Sequence, residues 1–259
     1  MENTEILDGL ISYWTERAHS YSDQNIGELN DWRCDAWRSL ILENAPKKDR
    51  LRILDIGTGP GFFAIALALA GHEVSAVDVT AHMIRHAQEN AHAYGASLKF
   101  YLNRGEFLSF EDGSYDLVVS RNVTWNLEYP DKALYEWARV LSPGGRMVYF
   151  DANWYLYLFD EELRIKRDAV RKKFLEIHPD FKASGNMSPR RVRDLEQIAL
   201  SLPLSKQRRP AWDCDILEKI GMSVVNIIEN IGMNVTDPSL WDYDTATPMF
   251  MVCAEKGEL

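Results

Sequence analysis

Three glycines at alternate positions, Gly57, Gly59 and Gly61, separate two apolar segments of the chain. Residues 53–56 have the composition of a buried strand, and residues 62–70 carry an apolar pattern typical of a helix. Because glycine has no Cβ, the chain can bend sharply there and a ligand can lie against the backbone. The helix that follows presents unpaired amides and the positive end of its dipole. The spacing therefore predicts a strand, a glycine turn and a helix that bind a ligand at the turn.

The glycine spacing also distinguishes between two kinds of nucleotide. A dinucleotide fingerprint has the pattern G-x-G-x-x-G, and its last glycine would fall at Phe62. The chain instead has G-x-G-x-G, preceded by Asp55 at the end of the strand. A carboxylate in that place suits a ligand with a cationic amine better than a ligand with a pyrophosphate.

A second carboxylate, Asp78, ends the run at residues 72–78, which is predicted to be the second strand. In nucleotide-binding α/β folds, a carboxylate about 20 residues beyond the glycine turn accepts hydrogen bonds from the ribose hydroxyls. Asp55, the glycines and Asp78 together indicate an adenosine that carries an amino-acid tail. That description fits S-adenosylmethionine.

Three stretches of the sequence resemble class I S-adenosylmethionine-dependent methyltransferases of the small-molecule type. They are L-D-I-G-T-G-P-G with V-D-V-T at residues 54–61 and 77–80, F-E-D-G-S-Y-D-L-V-V-S-R at residues 110–121, and V-L-S-P-G-G-R at residues 140–146. The resemblance extends over roughly residues 49–152. It implies an α/β fold with a doubly wound, mostly parallel seven-stranded Rossmann-like sheet and an antiparallel last strand.

The order of elements divides the chain into four predicted parts. Residues 1–48 have helical spacing and form an N-terminal cap, and residues 49–154 form the cofactor-binding core. Residues 155–210 interrupt the core with two amphipathic helices and a loop at residues 184–189, and this insertion is placed to act as a lid. Residues 211–259 supply a helix and two strands that complete the sheet.

The resemblance implies the residues that hold S-adenosyl-L-methionine and its product, S-adenosyl-L-homocysteine. The glycine turn and second strand contribute one group, and the tyrosines of the N-terminal cap approach the methionine end. The implied cofactor-binding residues are Asp55, Gly57, Thr58, Gly59, Gly61, Asp78, Val79, Met83, Glu106, Phe107, Asn122, Tyr13 and Tyr21. In one place the chain departs from the family, because Arg104 stands where an aspartate usually reads the adenine amino group. Adenine recognition is then expected to use Asn103 or the amides near Glu106 and Phe107.

Methyl transfer from a sulfonium is an in-line displacement, and a base is needed only when the acceptor must lose a proton. The catalytic candidates are Tyr21, Asp151 and His19. Asp151 and Asn153 follow the fifth strand, where they either hold or deprotonate the acceptor or simply cap the turn. His19 is either a base or a solvated side chain.

Aromatic residues are candidates for the wall of an acceptor pocket. Trp125 either lines that pocket or packs structurally, and Tyr155, Tyr157 and Phe159 either line it or anchor the lid. Core packing is favoured for Trp14 and Trp37. Arg209 belongs to a basic turn that is expected to be solvated, with binding of an acceptor carboxylate as the alternative.

Composition limits the partners of the chain. A net charge of −10 disfavours the phosphate backbone of nucleic acid as a partner, which leaves a small-molecule acceptor. The three cysteines are far apart and suggest neither a metal site nor disulfides. The N-terminus lacks a signal peptide and no apolar run approaches a membrane span, so a cytoplasmic location is expected, while the sequence gives no indication of oligomeric state.

Two other functions remain open from the sequence. An NAD-dependent oxidoreductase has the same order of strand, glycine turn and helix, although Phe62 stands in place of the last fingerprint glycine. A non-catalytic protein that binds S-adenosylmethionine would keep the same residues.

Overall fold

The strands of the protein form one mixed sheet with helices on both faces. The computed structural model describes residues 3–181 and 189–257, and within them seven strands join in the order β3-β2-β1-β4-β5-β7-β6. The strands are β1 Arg52–Ile56, β2 Glu73–Asp78, β3 Lys99–Leu102, β4 Tyr115–Arg121, β5 Leu141–Ala152, β6 Met222–Ile228 and β7 Met249–Lys256. Strands β1 to β5 are parallel, and β7 runs antiparallel to both of its neighbours. The predicted Rossmann-like fold is confirmed.

Helices connect and cover these strands. Their bounds are α1 Asn3–Leu29, α2 Trp32–Asn44, α3 Phe62–Leu69, α4 Ala81–Tyr94, α5 Pro130–Val140, α6 Glu161–Ile177, α7 Pro189–Ala199, α8 Ala211–Lys219, α9 Gly232–Val235 and α10 Trp241–Asp244. The loop predicted at residues 184–189 lies, up to residue 188, outside the described residues.

Each face of the sheet has its own core. On one face α2 and α3 pack against the sheet, and Trp37 of α2 lies 4.9 Å, ring to ring, from Phe150 of β5. On the other face α5 and α8 contribute Trp137 and Leu217. Strands β1 and β4 are buried by both layers, which explains their nearly continuous apolar sequences.

The helices outside the sheet layers form a third core. Leu10 of α1 and Leu195 of α7 belong to it, together with Trp125. Helix α1 therefore connects the sheet to the segment inserted after β5. Among the described residues, no helix combines the length and apolar character that crossing a membrane requires.

Candidate active site

The glycine turn after β1 has the backbone geometry that its sequence predicts. Gly57, Gly59 and Gly61 have φ values of 66°, 55° and 96°, in the left-handed region that favours glycine. A Cβ built on Gly57 would lie 2.2 Å from Cγ2 of Val123. A side chain at this position would therefore push the segment after β4 away from the turn.

Asp78 connects the turn to the end of β2. Its Oδ2 accepts a hydrogen bond of 2.9 Å from the Gly59 amide, and its Oδ1 accepts one of 2.8 Å from the Thr80 amide. Burial raises the pKa of this carboxyl group, and the hydrogen bonds from Thr80 and Gly59 lower it again. The side chain is 8% exposed, and that exposed part lines a cavity.

We call this cavity the strand-end cavity because it lies at the carboxyl ends of three parallel strands. Ile56, Asp78 and Arg121, the last residues of β1, β2 and β4, all line it. Ligands of open α/β sheets bind outside such strand ends. Gly57, Gly59, Val79, Met83, Glu106, Asn122 and Tyr21, all predicted cofactor-binding residues, also line it.

Asp55 is buried behind the turn. Its Oδ2 accepts hydrogen bonds from the Thr58 hydroxyl at 2.6 Å and from the Ala64 amide at 3.1 Å. Burial raises the pKa of Asp55 to about 7, against the lowering effect of both hydrogen bonds. Asp55 and Thr58 line a small cavity, which they share with Tyr21 and Arg121.

Arg121 is a site residue that the sequence analysis did not select. Its guanidinium donates a hydrogen bond of 2.6 Å to Glu28 and lies 4.6 Å from the centre of the Phe62 ring. It lines both the strand-end cavity and the small cavity that contains Asp55. A cation and a carboxylate thus border the same small space, as a zwitterionic amino-acid tail requires.

The predicted departure at Arg104 has a structural counterpart. The guanidinium donates to Glu106 at 3.0 Å and to Glu128 at 2.7 Å, so it neutralises two buried carboxylates at the edge of the strand-end cavity. Oε1 of Glu128 is buried and has no hydrogen-bond partner among the described residues. Asn103 also lines the cavity, whereas Phe107 is 51% exposed and lies outside the described lining.

A second cavity lies under the inserted segment, and we call it the aromatic cavity. Its described lining consists mostly of aromatic rings: Tyr13, Trp14, Tyr21, Trp125, Trp154, Tyr155, Tyr157 and Tyr243. Trp125, Tyr155 and Tyr157 were candidates for such a wall. Phe159, the fourth candidate, is 43% exposed and lies outside this lining.

The two cavities meet at three residues, Trp14, Tyr21 and Asn122, which line both. Tyr21 also lines the small cavity and packs against Trp14 at 5.6 Å between ring centres. Trp14 was expected to pack in the core, but its half-buried ring forms part of both walls. Tyr13, predicted to contact the cofactor, lines the aromatic cavity only.

Asn122 has an unusual conformation at this junction. Its φ of 59° lies in the left-handed region, and Oδ1 is buried without a hydrogen-bond partner among the described residues. Its backbone amide donates to Phe150 at 2.8 Å, and its carbonyl accepts from the Trp125 indole at 2.9 Å. The backbone is thus fixed from both sides, which leaves the side-chain oxygen available to a ligand.

The other catalytic candidates lie elsewhere. His19 has a side chain that is 82% exposed, and neither His19 nor Asp151 is among the described residues that line the two cavities. Asp151 is fully buried and accepts hydrogen bonds from the Trp125 amide at 2.8 Å and the Trp154 indole at 2.9 Å, as well as from the Thr124 hydroxyl. This arrangement is that of a structural carboxylate.

Arg209 is the partner of Asp151, so the expectation of a solvated basic turn is wrong at this residue. Its guanidinium is 1% exposed and donates to Asp151 at 2.9 Å and to Asp213 at 2.5 Å. Asn153 holds the same turn, because its side chain donates to the Arg209 carbonyl at 2.8 Å and accepts from the Arg209 amide at 3.0 Å.

Sequence comparisons agree with this geometry. A family model described as a methyltransferase domain matches residues 54–149. Demethylmenaquinone methyltransferase of Thermus thermophilus is 39% identical over 118 residues, or 43% of this chain and 52% of the relative. Malonyl-[acyl-carrier protein] O-methyltransferase of Erwinia pyrifoliae is 38% identical over 111 residues, or 42% of this chain and 40% of the relative.

Residues 54–149 of this chain thus match a methyltransferase domain, and the sheet around them has the class I S-adenosylmethionine-dependent methyltransferase fold. The solved structure of an S-adenosylmethionine-dependent methyltransferase from Aquifex aeolicus has the same fold, with a TM-score of 0.55 and 19% identity over 90% of this chain and 97% of that chain. The chain spans about half, or less, of the length of the two curated relatives. The matched part runs from Leu54 in β1 to Tyr149 in β5, whereas the aromatic cavity is built mostly from residues outside it.

Proposed function

We propose that this protein transfers the methyl group of S-adenosyl-L-methionine to a small-molecule acceptor that is bound in the aromatic cavity. The observation that carries this proposal is the junction of the two cavities at Trp14, Tyr21 and Asn122. A methyl donor in the strand-end cavity and an acceptor in the aromatic cavity would face each other there.

The residues around the strand-end cavity fit this cofactor. Asp78 is held by two backbone amides and offers its remaining lone pairs to a ribose diol. Gly57 and Gly59 line the cavity without side chains, so a nucleoside can lie against the backbone of the turn. Asp55 and Arg121 border the space suited to the ammonium and carboxylate of the methionine tail.

When bound, S-adenosylmethionine supplies an electrophilic methyl group on a sulfur that leaves as a neutral thioether. The protein then has to align the acceptor and exclude water. Tyr21 and Asn122 line the junction and would orient the two ligands there, while the aromatic walls would remove water from the acceptor. Where the acceptor must lose a proton, Tyr21 is the titratable side chain that borders both cavities.

The rival functions make different demands on these residues. A dinucleotide oxidoreductase needs a glycine at position 62, but Phe62 is 2% exposed and its ring packs under Arg121. A non-catalytic binding protein needs only the strand-end cavity. The adjoining aromatic cavity favours an enzyme, since binding the cofactor alone leaves that space without a role.

The setting we propose is cytoplasmic, with a small molecule rather than a nucleic acid as acceptor. A net charge of −10 opposes binding to a phosphate backbone. Cys34, Cys214 and Cys253 are free thiols, which agrees with a reducing compartment.

Calorimetric titration with S-adenosylhomocysteine and with NADH tests the cofactor. We expect S-adenosylhomocysteine to bind and Asp78→Ala to weaken it at least about 30-fold, because charge-assisted hydrogen bonds to the ribose are lost. Asp49→Ala, which removes an exposed carboxylate, should leave the dissociation constant unchanged. Binding of NADH without binding of S-adenosylhomocysteine would overturn the proposal.

A screen of small acceptors with radiolabelled S-adenosylmethionine separates an enzyme from a binding protein. We expect label transfer to an aromatic-cavity ligand. Tight S-adenosylhomocysteine binding without transfer to any acceptor that occupies the aromatic cavity would favour the non-catalytic protein.

A further inference from the structure

Two arginines interrupt the ring-lined wall of the aromatic cavity. Arg167 and Arg171 lie one turn apart on α6, and both line the cavity. The Arg167 guanidinium carbon lies 3.7 Å from the centre of the Tyr157 ring, and that of Arg171 lies 5.3 Å from the centre of the Tyr243 ring. The aromatic rings thus hold two guanidinium groups against the same space.

Both guanidinium groups have unused hydrogen-bonding capacity. Nε of Arg167 and Nε of Arg171 are buried, and neither has a hydrogen-bond partner among the described residues. Among the described residues, Arg167 has one ion-pair partner, Asp168, whose side chain is 61% exposed. Buried N–H groups are normally paired in proteins, so two unpaired ones beside one cavity indicate a ligand that accepts hydrogen bonds.

The charge of the lining favours an anion. Glu196 is the third charged residue of the described lining, and its Oε1 already accepts a hydrogen bond of 2.6 Å from the Tyr157 hydroxyl. The lining therefore carries two cations and one carboxylate. The two cations also oppose each other, since burial and the charge of Arg167 both lower the pKa of Arg171. An anion between them would relieve that repulsion.

We propose that the acceptor is a planar apolar molecule that carries a carboxylate or a similar oxyanion, and that Arg167 and Arg171 bind this anionic group. The inference rests on the proposed function, because it names the class of the acceptor. The rings of the lining contact the apolar body, and the arginines at the α6 wall fix its anionic end. The reacting atom then points to the junction at Tyr21 and Asn122.

A cationic ligand is the competing occupant of a site with many aromatic rings. Rings of this kind bind ammonium groups through their electron-rich faces. In this cavity, however, Arg167 and Arg171 already occupy the faces of Tyr157 and Tyr243. A cationic ligand would meet these two like charges in a half-buried space.

Three probes of similar size and different charge test the proposal: 2-naphthoate, 2-naphthamide and 2-naphthylmethylammonium. Their dissociation constants are measured by calorimetry on the full chain, with and without S-adenosylhomocysteine. We expect 2-naphthoate to bind at least about 10-fold more tightly than the amide, and the ammonium probe to bind most weakly.

Arg167→Gln and Arg171→Gln should each weaken 2-naphthoate binding about 10-fold and change 2-naphthamide binding less than about twofold. Arg164→Gln is the matched control, because Arg164 lies on the same helix but is 52% exposed and pairs with Glu161. Arg164→Gln should leave the dissociation constants of all three probes unchanged. An unchanged dissociation constant for S-adenosylhomocysteine shows that each variant is folded.

Equal binding of 2-naphthoate and 2-naphthamide, tighter binding of the ammonium probe, or binding of none of the three would overturn the inference. So would an equal loss of carboxylate and amide binding in the arginine variants. The proposed function is judged separately by S-adenosylhomocysteine. If that ligand binds while 2-naphthoate does not, only the acceptor class is wrong.

Discussion

Asn122 concentrates backbone strain at the junction of the two cavities. It is the non-glycine residue with positive φ in the part of the chain that the structure describes. Asparagine tolerates this region better than most residues, but the conformation still persists only where the surroundings enforce it. The next residue, Val123, fills the space that the missing Cβ of Gly57 leaves open. Strained backbone, a bare glycine and an unpaired amide oxygen therefore coincide where the two ligands are expected to meet.

Asp55 should make stability depend on pH in a direction opposite to that of most carboxylates. Its pKa is about 7 in the folded protein, because burial disfavours the charged form, against an ordinary value of 3.8. Between about pH 4 and pH 7 the folded state binds a proton that the unfolded chain has lost, so the free energy of unfolding falls as pH rises. Between pH 5 and pH 8 the free energy of unfolding of the wild type should fall by about 2–3 kcal/mol relative to that of Asp55→Asn. Urea unfolding at several pH values measures this difference.

Asparagine can preserve the hydrogen bonds of Asp55, because a single oxygen of Asp55 accepts both of them. Asp116→Asn is the control. Burial raises the pKa of Asp116, but hydrogen bonds from Arg52 and Lys48 hold it well below its usual range. The contribution of Asp116 is thus constant from pH 5 to pH 8 and is lost only in acid. If the difference in free energy of unfolding between the wild type and Asp55→Asn does not change over the same pH range, Asp55 is ionised in the folded protein.

Sequence spacing identified the residues whose role is local. Asp55, the glycines and Asp78 follow from position alone, because a strand end and a turn fix where their backbone lies. Arg121 and Glu128 were not selected as site residues, because they line a cavity that segments distant in the sequence enclose. Asp151 was predicted as a catalytic candidate because it ends a strand, and its partner Arg209 lies 58 residues further along the chain. No local sequence pattern predicts an ion pair between residues so far apart.

A buried ion cluster joins three elements of the chain. Asp151 lies near the end of β5, Asp213 lies in α8, and Arg209 bridges them while it also donates to the Thr124 hydroxyl at 2.7 Å. Tyr149 of β5 donates to Asp213 at 2.8 Å. Thr124 begins the short helical turn Thr124–Asn126, which follows Asn122 and Val123. The cluster therefore holds the segment that borders the cavity junction.

Arg209→Met should destabilise the protein by about 3–5 kcal/mol, because it leaves two buried carboxylates without their cation. Arg208→Met is a neighbouring control. The Arg208 side chain is 71% exposed and pairs with Asp160, so its loss should change the free energy of unfolding by less than about 1 kcal/mol. Urea unfolding of the two variants gives both values.

Neutralising the carboxylates identifies the cause of that loss. When Asp151→Asn and Asp213→Asn are added to Arg209→Met, the triple variant should be less destabilised than the sum of the separate changes. Additive changes would mean that the three side chains do not interact. An Arg209→Met variant as stable as Arg208→Met would contradict the burial of the pair.

The elements themselves were largely predictable, and their ends less so. The apolar pattern indicates a fifth strand before Asp151, but it does not give the length of β5, which extends over Leu141–Ala152. Pro143, Gly144 and Gly145 lie inside β5, shortly after α5 ends at Val140, and β5 pairs with β4 through an irregularity opposite Tyr115 and Leu117. Turn residues indicate where a helix stops. They do not indicate whether a neighbouring strand will accept the segment that follows.

In the whole molecule, α1 lies over both cavities. It packs against α4 and α3 on the cofactor side and against α7 on the side of the inserted segment. Leu10 lines the strand-end cavity, and Trp14 and Tyr21 line both cavities. The sequence predicted a cap here. The placement of α1 across the junction depends on contacts with helices far along the chain, which the sequence alone does not reveal.

Hydrogen–deuterium exchange should separate the two binding events. At 10 times its dissociation constant, S-adenosylhomocysteine should slow exchange at amides of α1 between Leu10 and Tyr21 by up to about 11-fold, because a ligand that binds only the folded state adds RT ln(1 + [L]/Kd) to the free energy of opening. Helix α6 should respond little, since it contributes to the described lining of the aromatic cavity and not to that of the strand-end cavity. Helix α8 lines neither cavity and serves as the internal control.

Adding 2-naphthoate afterwards should slow exchange in α6 around Arg167 and Arg171 and further protect α1. This order follows from the geometry, because α1 contributes to both linings and α6 to one. Equal protection of α1, α6 and α8 by S-adenosylhomocysteine alone would show a global gain in stability instead. In that case the two cavities would not act as separate sites joined under α1.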